Sequence, residues 1–385
     1  MSTSAQEFAD ARRQRGEAED RAEAEKRAEV VAPVGAGQGP AGRRRSGTRR
    51  AGIRNVIRFA ARPGPWKRGP VLAALGLLLG LLMLLHAQVP DAWGLGSLVE
   101  TFLPWFGLCV PVLLAGALWR RSASAVVALL LPALVWLSLF GGVLGNTSHS
   151  GGDLTVVSHN VGAGNPDPVG AAHDLAASRA DLLALVEITP QAEATYDKEL
   201  ATAYPHHEVR GTVGLWSKLP LSDTRTVDVA MQGMAGPLAA HLSAEERKPT
   251  PRALRATVTT DRGPLAVYVA HLGSVRLMPR GGYRTEQRDA GAQALAEAVA
   301  AERNERVVLL GDLNGTMDDR AFDGLTSQLR SAQDAAGEGF GFSWPATFPV
   351  ARIDQILVRG VQPKSSWVLP ATGSDHRPVA AGISW

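Results

Sequence analysis

Cysteine is almost absent from this chain. The single Cys109 lies in an apolar run, so no intrachain disulfide partner exists and a zinc site built on thiolates is excluded. Nucleophile signatures are missing too: there is no Gly-x-Ser-x-Gly, and nothing after residue 150 is a cysteine. A Gly-x-x-x-x-Gly-Lys-Ser/Thr loop is also lacking, which leaves nucleotide hydrolysis by that route unsupported. Tyrosine (4) and phenylalanine (9) are sparse, which weakens any reading based on stacking single-stranded bases. No long run of one charge sign covers the C-terminal region, and no internal repeat is evident.

The charge that is present is unevenly placed. Residues 1–150 carry 18 basic and 10 acidic side chains, against 22 and 27 for residues 151–385. The basic pI therefore belongs to the N-terminal part, and a nucleic-acid reading drawn from it alone fails. Residues 1–68 read as a cytoplasmic, largely disordered basic tail. Gln6–Val31 is rich in Ala, Glu and Arg, and the Gly/Pro/Arg-rich stretch after Pro33 cannot bury enough apolar surface to fold. Arg43 to Arg68 holds ten basic residues and no acidic one, which suits a juxtamembrane anchor on anionic lipid better than a nucleic-acid arm.

Residues 69–145 read as a membrane region. Three apolar segments, roughly Val71–His86, Phe102–Trp119 and Ala125–Leu144, approach the ~20 residues that span a bilayer, the first at the short end. Arginines lie before the first segment and at Arg120-Arg121, and none lies between Ala87 and Thr101. Three spans with the N-terminus inside predict a multi-pass cell-membrane protein whose domain from Asn146 onward is extracytoplasmic. Two spans plus a buried hairpin would instead put that domain inside.

From Asp153 the pattern turns to short apolar strands alternating with Ala-rich helices. Strands are predicted at Leu154–Ser158, Leu182–Val186, Val213–Trp216, Ala253–Thr259, Leu265–Ala270, Val307–Leu310, Ile353–Val358 and Pro378–Ile383. Helices are predicted at Gly170–Arg179, Glu193–Ala201, Arg284–Arg303 and Asp319–Leu329, with Ala290, Ala294, Leu295, Ala298 and Val299 forming one apolar face. This is an α/β (α+β) pattern: one domain, 151–385, of two sheets with helices outside. Polar residues recur at the strand ends: Ser158-His159-Asn160, Glu187, His271, Asp312-Leu313-Asn314, Asp354 and Ser374-Asp375-His376. Carboxylates, an asparagine and histidines converging on one sheet edge describe a divalent-metal site for phosphate esters.

In order, Val157-Ser158-His159-Asn160, Asp181 to Glu187, Leu215-Trp216-Ser217, Ala270-His271-Leu272, Gly311-Asp312-Leu313-Asn314, Ser343-Trp344-Pro345, Arg352-Ile353-Asp354 and Ser374-Asp375-His376-Arg377-Pro378 resemble the endonuclease/exonuclease/phosphatase superfamily. That superfamily includes DNase I-like nucleases, inositol polyphosphate phosphatases and neutral sphingomyelinases. The membrane-anchored arrangement resembles a bacterial subgroup of it.

The resemblance implies a four-layer α-β-β-α sandwich of DNase I-like type behind a transmembrane helical region. It also implies a Mg²⁺- or Mn²⁺-dependent hydrolase acting on a nucleic acid, a phospholipid or a small phosphoester. Glu187, with Asn160 and Asp375, would hold the metal. Asp312 would orient and deprotonate the attacking water, and Asn314 would donate to a phosphate oxygen. His376 and His271 would be donors to the developing charge, with Asp354 fixing the ring of His376. Arg280 and Arg284, spaced helically with Arg288, are candidates for binding anionic substrate. Leu313 and Gln355 depart from the more common aromatic at their positions without removing a ligand. A catalytically silent binding module on the same fold, or a lipid head-group phosphodiesterase, are the competing readings.

Overall fold

Fully apolar strands demand cover on both faces, and the domain supplies it with two sheets and two helical layers. The computed structural model describes residues 64–145, 151–229 and 249–385. The basic tail up to residue 63 and the loop 230–248 lie outside the described residues.

In chain order the strands are β1 (Leu154–Asn160), β2 (Leu182–Val186), β3 (His206–Arg210), β4 (Val213–Ser217) and β5 (Leu221–Thr226). They continue with β6 (Ala253–Thr260), β7 (Gly263–His271), β8 (Arg276–Met278), β9 (Gly282–Arg284) and β10 (Val307–Asp312). The last are β11 (Arg330–Ser331), β12 (Asp354–Arg359), β13 (Gln362–Val368) and β14 (Val379–Ser384). One six-stranded sheet runs β13-β14-β1-β2-β4-β3 and the other β11-β12-β10-β7-β6-β5, with β8-β9 a separate hairpin.

Val156, Leu182, Leu215, Val267, Leu310 and Ile356 interdigitate between the sheets. Leu175, Tyr196 and Trp216 fill the layer under the helices Pro168–Ala177 and Pro190–Leu200. Leu295, Val299, Leu309 and Phe322 fill the layer under the helix Glu286–Ala300. This is the expected four-layer α-β-β-α sandwich.

The helix ends follow from side-chain chemistry. Asp167 caps Pro168–Ala177 by accepting from Gly170 N, and Thr189 caps Pro190–Leu200 by accepting from Ala192 N. Glu187, just upstream, is therefore not needed as a cap.

Several expected elements come out differently. The strands β3, β5 and β13 escape the apolar pattern because their residues are mostly half-buried or exposed sheet-edge positions. The predicted helix Asp319–Leu329 is a short 3-10 turn, Arg320–Phe322, and one helical turn, Asp323–Thr326. The buried stripe of Glu286–Ala300 is Arg288, Gly291, Ala292, Leu295, Ala296 and Val299, so Ala290 faces out. Arg280, Arg284 and Arg288 do not share a helix face: Arg280 lies in the β8–β9 turn and Arg284 on β9.

The three expected membrane spans are also revised. Ala123–Leu144 is long and apolar enough to cross a membrane. Ala92–Thr101 and Leu103–Trp119 are bent by 65° at the break between them, and Pro70–Leu84 is a shorter apolar helix. Pro104 explains the bend, since it lacks an N–H and disfavours helical backbone in the residue before it. Gly76 and Gly80 of Pro70–Leu84 sit against Ala128, Leu129 and Leu131, and a Cβ at Gly80 would lie 2.6 Å from Leu131 Cγ. Small residues four apart let helix backbones approach closely, as in membrane helix pairs.

Behind the second sheet, Arg255 is buried and donates from Nε to Glu302 Oε2 at 2.9 Å. Burial alone would raise the Glu302 carboxyl pKa, but the bonds from Arg255, Asn304 N and Tyr268 bring it down to about 2. A depressed carboxyl pKa contributes stability above its unfolded value of about 4.5, and loses it as pH falls towards 2. Thermal melts of Glu302→Gln should show a lowered Tm at pH 7 whose gap to the parent chain closes between about pH 4.5 and 2. A gap independent of pH would contradict this.

Candidate active site

The polar residues singled out by the sequence lie at one edge of the two sheets. β7 and β10 run parallel and deliver His271 opposite Asp312, while β10 and β12 pair antiparallel with Asp312 opposite Asp354. Gly311 makes the approach possible: its φ is +151°, and a Cβ there would lie 1.8 Å from Ala270 O. β1 and β2 run parallel in the other sheet and bring Asn160 to the same edge, with Glu187 immediately beyond Val186. Glu187 and Asn314 both adopt positive φ, 62° and 52°. Such backbone is costly for non-glycine residues and is concentrated at functional sites.

Asp312 is the hub. It is buried; Oδ2 accepts from Asn160 Nδ2 at 2.9 Å and Oδ1 from Asn314 N at 2.9 Å. His376 Nε2 and His271 Nε2 lie 3.7 and 3.8 Å from Oδ2. Burial and the neighbouring Asp354 push the Asp312 carboxyl up to about 7, against the opposing pull of His376.

Asp354 Oδ2 meets His376 Nδ1 at 2.8 Å and accepts from Ser343 Oγ at 2.6 Å. Burial lowers the pKa of the His376 ring, but Asp354, Asp312 and Asp375 more than reverse this and bring it to about 9. The ring is therefore a cation whose Nε2 faces Asp312. Asp354 Oδ1 is buried without a hydrogen-bond partner.

On the far side of Asp312, Glu187 Oε1 lies 3.5 Å from His271 Nε2, and its Oε2 accepts from Ala163 N at 3.1 Å. Burial, then Arg252 and His376, hold the His271 pKa well below its ordinary value, so this ring is neutral. Arg252 was not among the residues the sequence suggested. Its Nη2 lies 2.5 Å from the His271 ring nitrogens, and Glu187 and Asp312 act on its charge. The signal available was an arginine at the start of an apolar strand, directly before Ala253.

Ser343 steadies Asp354 from one side, and Ser374 supports Asn160 from behind by donating to its backbone O at 2.7 Å. His159 is buried behind the site on Thr372, Nε2 to Oγ1 2.7 Å.

Three predicted residues stand apart. Asp375 is exposed, and its carboxylate accepts from Trp344 Nε1 at 3.3 Å rather than joining Glu187. Arg284 pairs with Glu286 at 3.6 Å, and Arg280 is exposed on the hairpin turn. The Asn314 amide donates to Leu272 O at 3.1 Å.

The donor set suits a hard divalent cation. Asp312 and Asp354 offer carboxylate oxygens within 4.8 Å of one another, Glu187 is a partly exposed carboxylate 3.5 Å from His271, and Asp354 Oδ1 is free of hydrogen bonds, whereas the protonated His376 ring, paired to Asp354, has no lone pair to give a metal.

The chain is similar to a functionally unknown conserved protein from Enterococcus faecalis V583 (17% identity, TM-score 0.48, covering 60% of this chain and 99% of that one). It also resembles D. rerio TDP2 complexed with single strand DNA product (17%, 0.47, 60% and 98%) and a mannosyl-6-phosphatase from Bacteroides thetaiotaomicron (16%, 0.47, 60% and 100%). No curated protein matches. The Endonuclease/Exonuclease/phosphatase family model matches residues 157–376, more than half of the 385 residues, and the chain belongs to that family.

Proposed function

We propose that this protein is a divalent-metal-dependent phosphoesterase attached to a membrane, hydrolysing a phosphodiester or phosphomonoester by in-line attack of water. The observation that carries the reading is the pairing of a raised carboxyl, Asp312, with a cationic ring, His376, at 3.7 Å in one buried cluster. Two groups whose environments drive their pKa values in useful directions are the pattern of acid–base catalysis.

In this reading Asp312, oriented by Asn160 and Asn314 N, accepts the proton of the attacking water. His376, held by Asp354 through Nδ1, donates from Nε2 to a phosphoryl oxygen as negative charge develops. Arg252 lies beside His271 and neutralises a second oxygen, its charge meeting the carboxylates of Glu187 and Asp312. Asn314 is kept as a donor to substrate, and Asp375 acts at a distance by raising the His376 pKa. Glu187 and Asn160, with Asp312 close by, would hold Mg²⁺ or Mn²⁺. When bound, such an ion supplies Lewis-acid polarisation of the phosphate and neutralises the carboxylate cluster.

Membrane attachment is supported by Ala123–Leu144 and by the leucines exposed along the helices, such as Leu78 and Leu134. The placement of the arginines favours an extracytoplasmic domain, so protease added to right-side-out vesicles should digest it, and protection would contradict this orientation.

Hydrolysis of bis(p-nitrophenyl) phosphate should be abolished by EDTA and restored by Mg²⁺ or Mn²⁺. Asp312→Ala should reduce kcat by about 10²–10⁴-fold and Arg252→Ala by about 10²–10³-fold. Unchanged rates in Asp312→Ala would refute the mechanism. A second test uses pH. The donor form of His376 is lost as pH rises through about 9, so the rate should fall there. Asp354→Asn removes the charge that raises this pKa, so the alkaline limb should move down towards 6.5. A limb that stays in place would remove His376 from the donor role.

A further inference from the structure

The apolar helices do not meet the domain at a neutral surface. The segments they touch are loops of the catalytic edge. Gly94 approaches the hairpin so closely that a Cβ would lie 1.7 Å from Tyr283 O. Arg320 donates to the fully buried Glu100, Nη2 to Oε1 2.7 Å and Nε to Oε1 3.0 Å. Trp105 Nε1 donates to Val350 O at 2.8 Å, and its ring stacks on Phe342 at 5.6 Å. Those loops leave β7 after His271, leave β10 after Asp312 and lead into β12 at Asp354. The catalytic residues therefore lie at the end of the sandwich whose loops the helices touch.

Where helices and loops meet lies a cavity of about 280 Å³. Leu139, Phe140 and Val143 of the helical segment and Phe340 of the domain give it an apolar wall. Thr316, Asp318, Asp334 and Arg352 give it a polar wall, with Arg352 Nη2 paired to Asp334 Oδ1 at 2.5 Å, and Thr316 and Arg352 stand two residues along the chain from Asn314 and Asp354. Thr316 is 5% exposed and its hydroxyl has no hydrogen-bond partner. A cavity with apolar and polar sides, one made by the apolar helices and the other by segments that run directly into the catalytic strand ends, matches an amphiphile. Its volume is just under the roughly 300–1,000 Å³ of small-molecule sites, so it admits part of a chain rather than a whole lipid.

The hairpin β8–β9, which follows His271, adds an independent indication. Leu277 on β8 is 73% exposed, Met278 beside the turn 45% and the adjoining Trp93 83%, with Arg276 and Arg280 on the same hairpin. An exposed apolar hairpin flanked by cations suits the head-group layer of an anionic bilayer.

We propose that the substrate is an amphiphilic phosphate ester drawn from a lipid bilayer, with its apolar chain in the cavity between the helical segment and the domain and its phosphate at Asp312 and His376. This deepens the phosphoesterase reading and rests on it.

The test uses the full chain in phosphatidylcholine nanodiscs, with dodecyl p-nitrophenyl phosphate and methyl p-nitrophenyl phosphate as probes. The scissile bond is the same and only the chain differs. The dodecyl ester should be hydrolysed with kcat/KM at least about tenfold higher, the effect of burying about two methylenes. Leu139→Trp, at a position 42% exposed, fills the cavity; it should erase the dodecyl-over-methyl preference in kcat/KM. Val143→Trp should do the same, and thermal melts with a cooperative transition report that each variant is folded. Equal kcat/KM for the two esters overturns the proposal. So does a dodecyl preference untouched by both variants, which would be bilayer partitioning alone. If the parent chain hydrolyses neither ester, the phosphoesterase reading itself falls, and this proposal with it.

Discussion

Asp312 and Asp354 oppose each other across the pairing of β10 and β12, and two carboxylates buried side by side cannot both hold their charge unless cations stand next to them. Much of the surrounding arrangement follows from that constraint. His376 satisfies Asp354 through one nitrogen and faces Asp312 with the other. Asn160 reaches across from the opposite sheet to Asp312, and Ser343 covers Asp354. The positive backbone angles of Glu187 and Asn314 are the conformational cost of bringing side chains to this point from two different sheets.

The same edge also receives the apolar helices, and their attachment is polar where it is closest. Glu100 is fully buried and is neutralised by Arg320; Ser97 bridges Asp319 and Arg288, with Arg288 Nη2 2.8 Å from Asp319 Oδ2. Removing one partner from such a buried pair leaves an uncompensated charge, so these contacts hold the domain in one orientation on the helices. Because the contacted loops are also those carrying catalytic residues, fixing that orientation fixes which side of the site a substrate meets. The domain's mild negative charge and its lack of a basic stripe fit this better than they fit a duplex-tracking nuclease.

The sandwich and most of the cluster were legible in the sequence because buried strands announce themselves. Leu182–Val186 and Val307–Asp312 are apolar runs ending in a polar residue, and that residue must emerge at the sheet edge. The edge strands β3, β5 and β13 were not legible, since half-exposed residues carry no apolar run. Arg252 was missed for a related reason: an arginine before a strand looks like surface charge until the fold brings Glu187 and His271 beside it. Arg280, Arg284 and Arg288 show the opposite error, where a spacing of four suggested a helix and a tight hairpin intervened. Asp375 neighbours His376 in sequence, yet the alternation that turns His376 inward turns Asp375 out. The bend before Pro104 falls where the second apolar segment was expected to begin, and the helix Ala92–Thr101 upstream of it, expected as part of a loop, carried no apolar run to announce it.

The most direct measurement is Mn²⁺ binding to the full chain, followed by the loss of free-ion EPR signal, for the parent chain and for Glu187→Gln. The account predicts one tight site in the parent chain, weakened at least about tenfold by Glu187→Gln, as loss of a carboxylate ligand to a hard cation requires. No tight site in the parent chain, or one indifferent to Glu187, would contradict it.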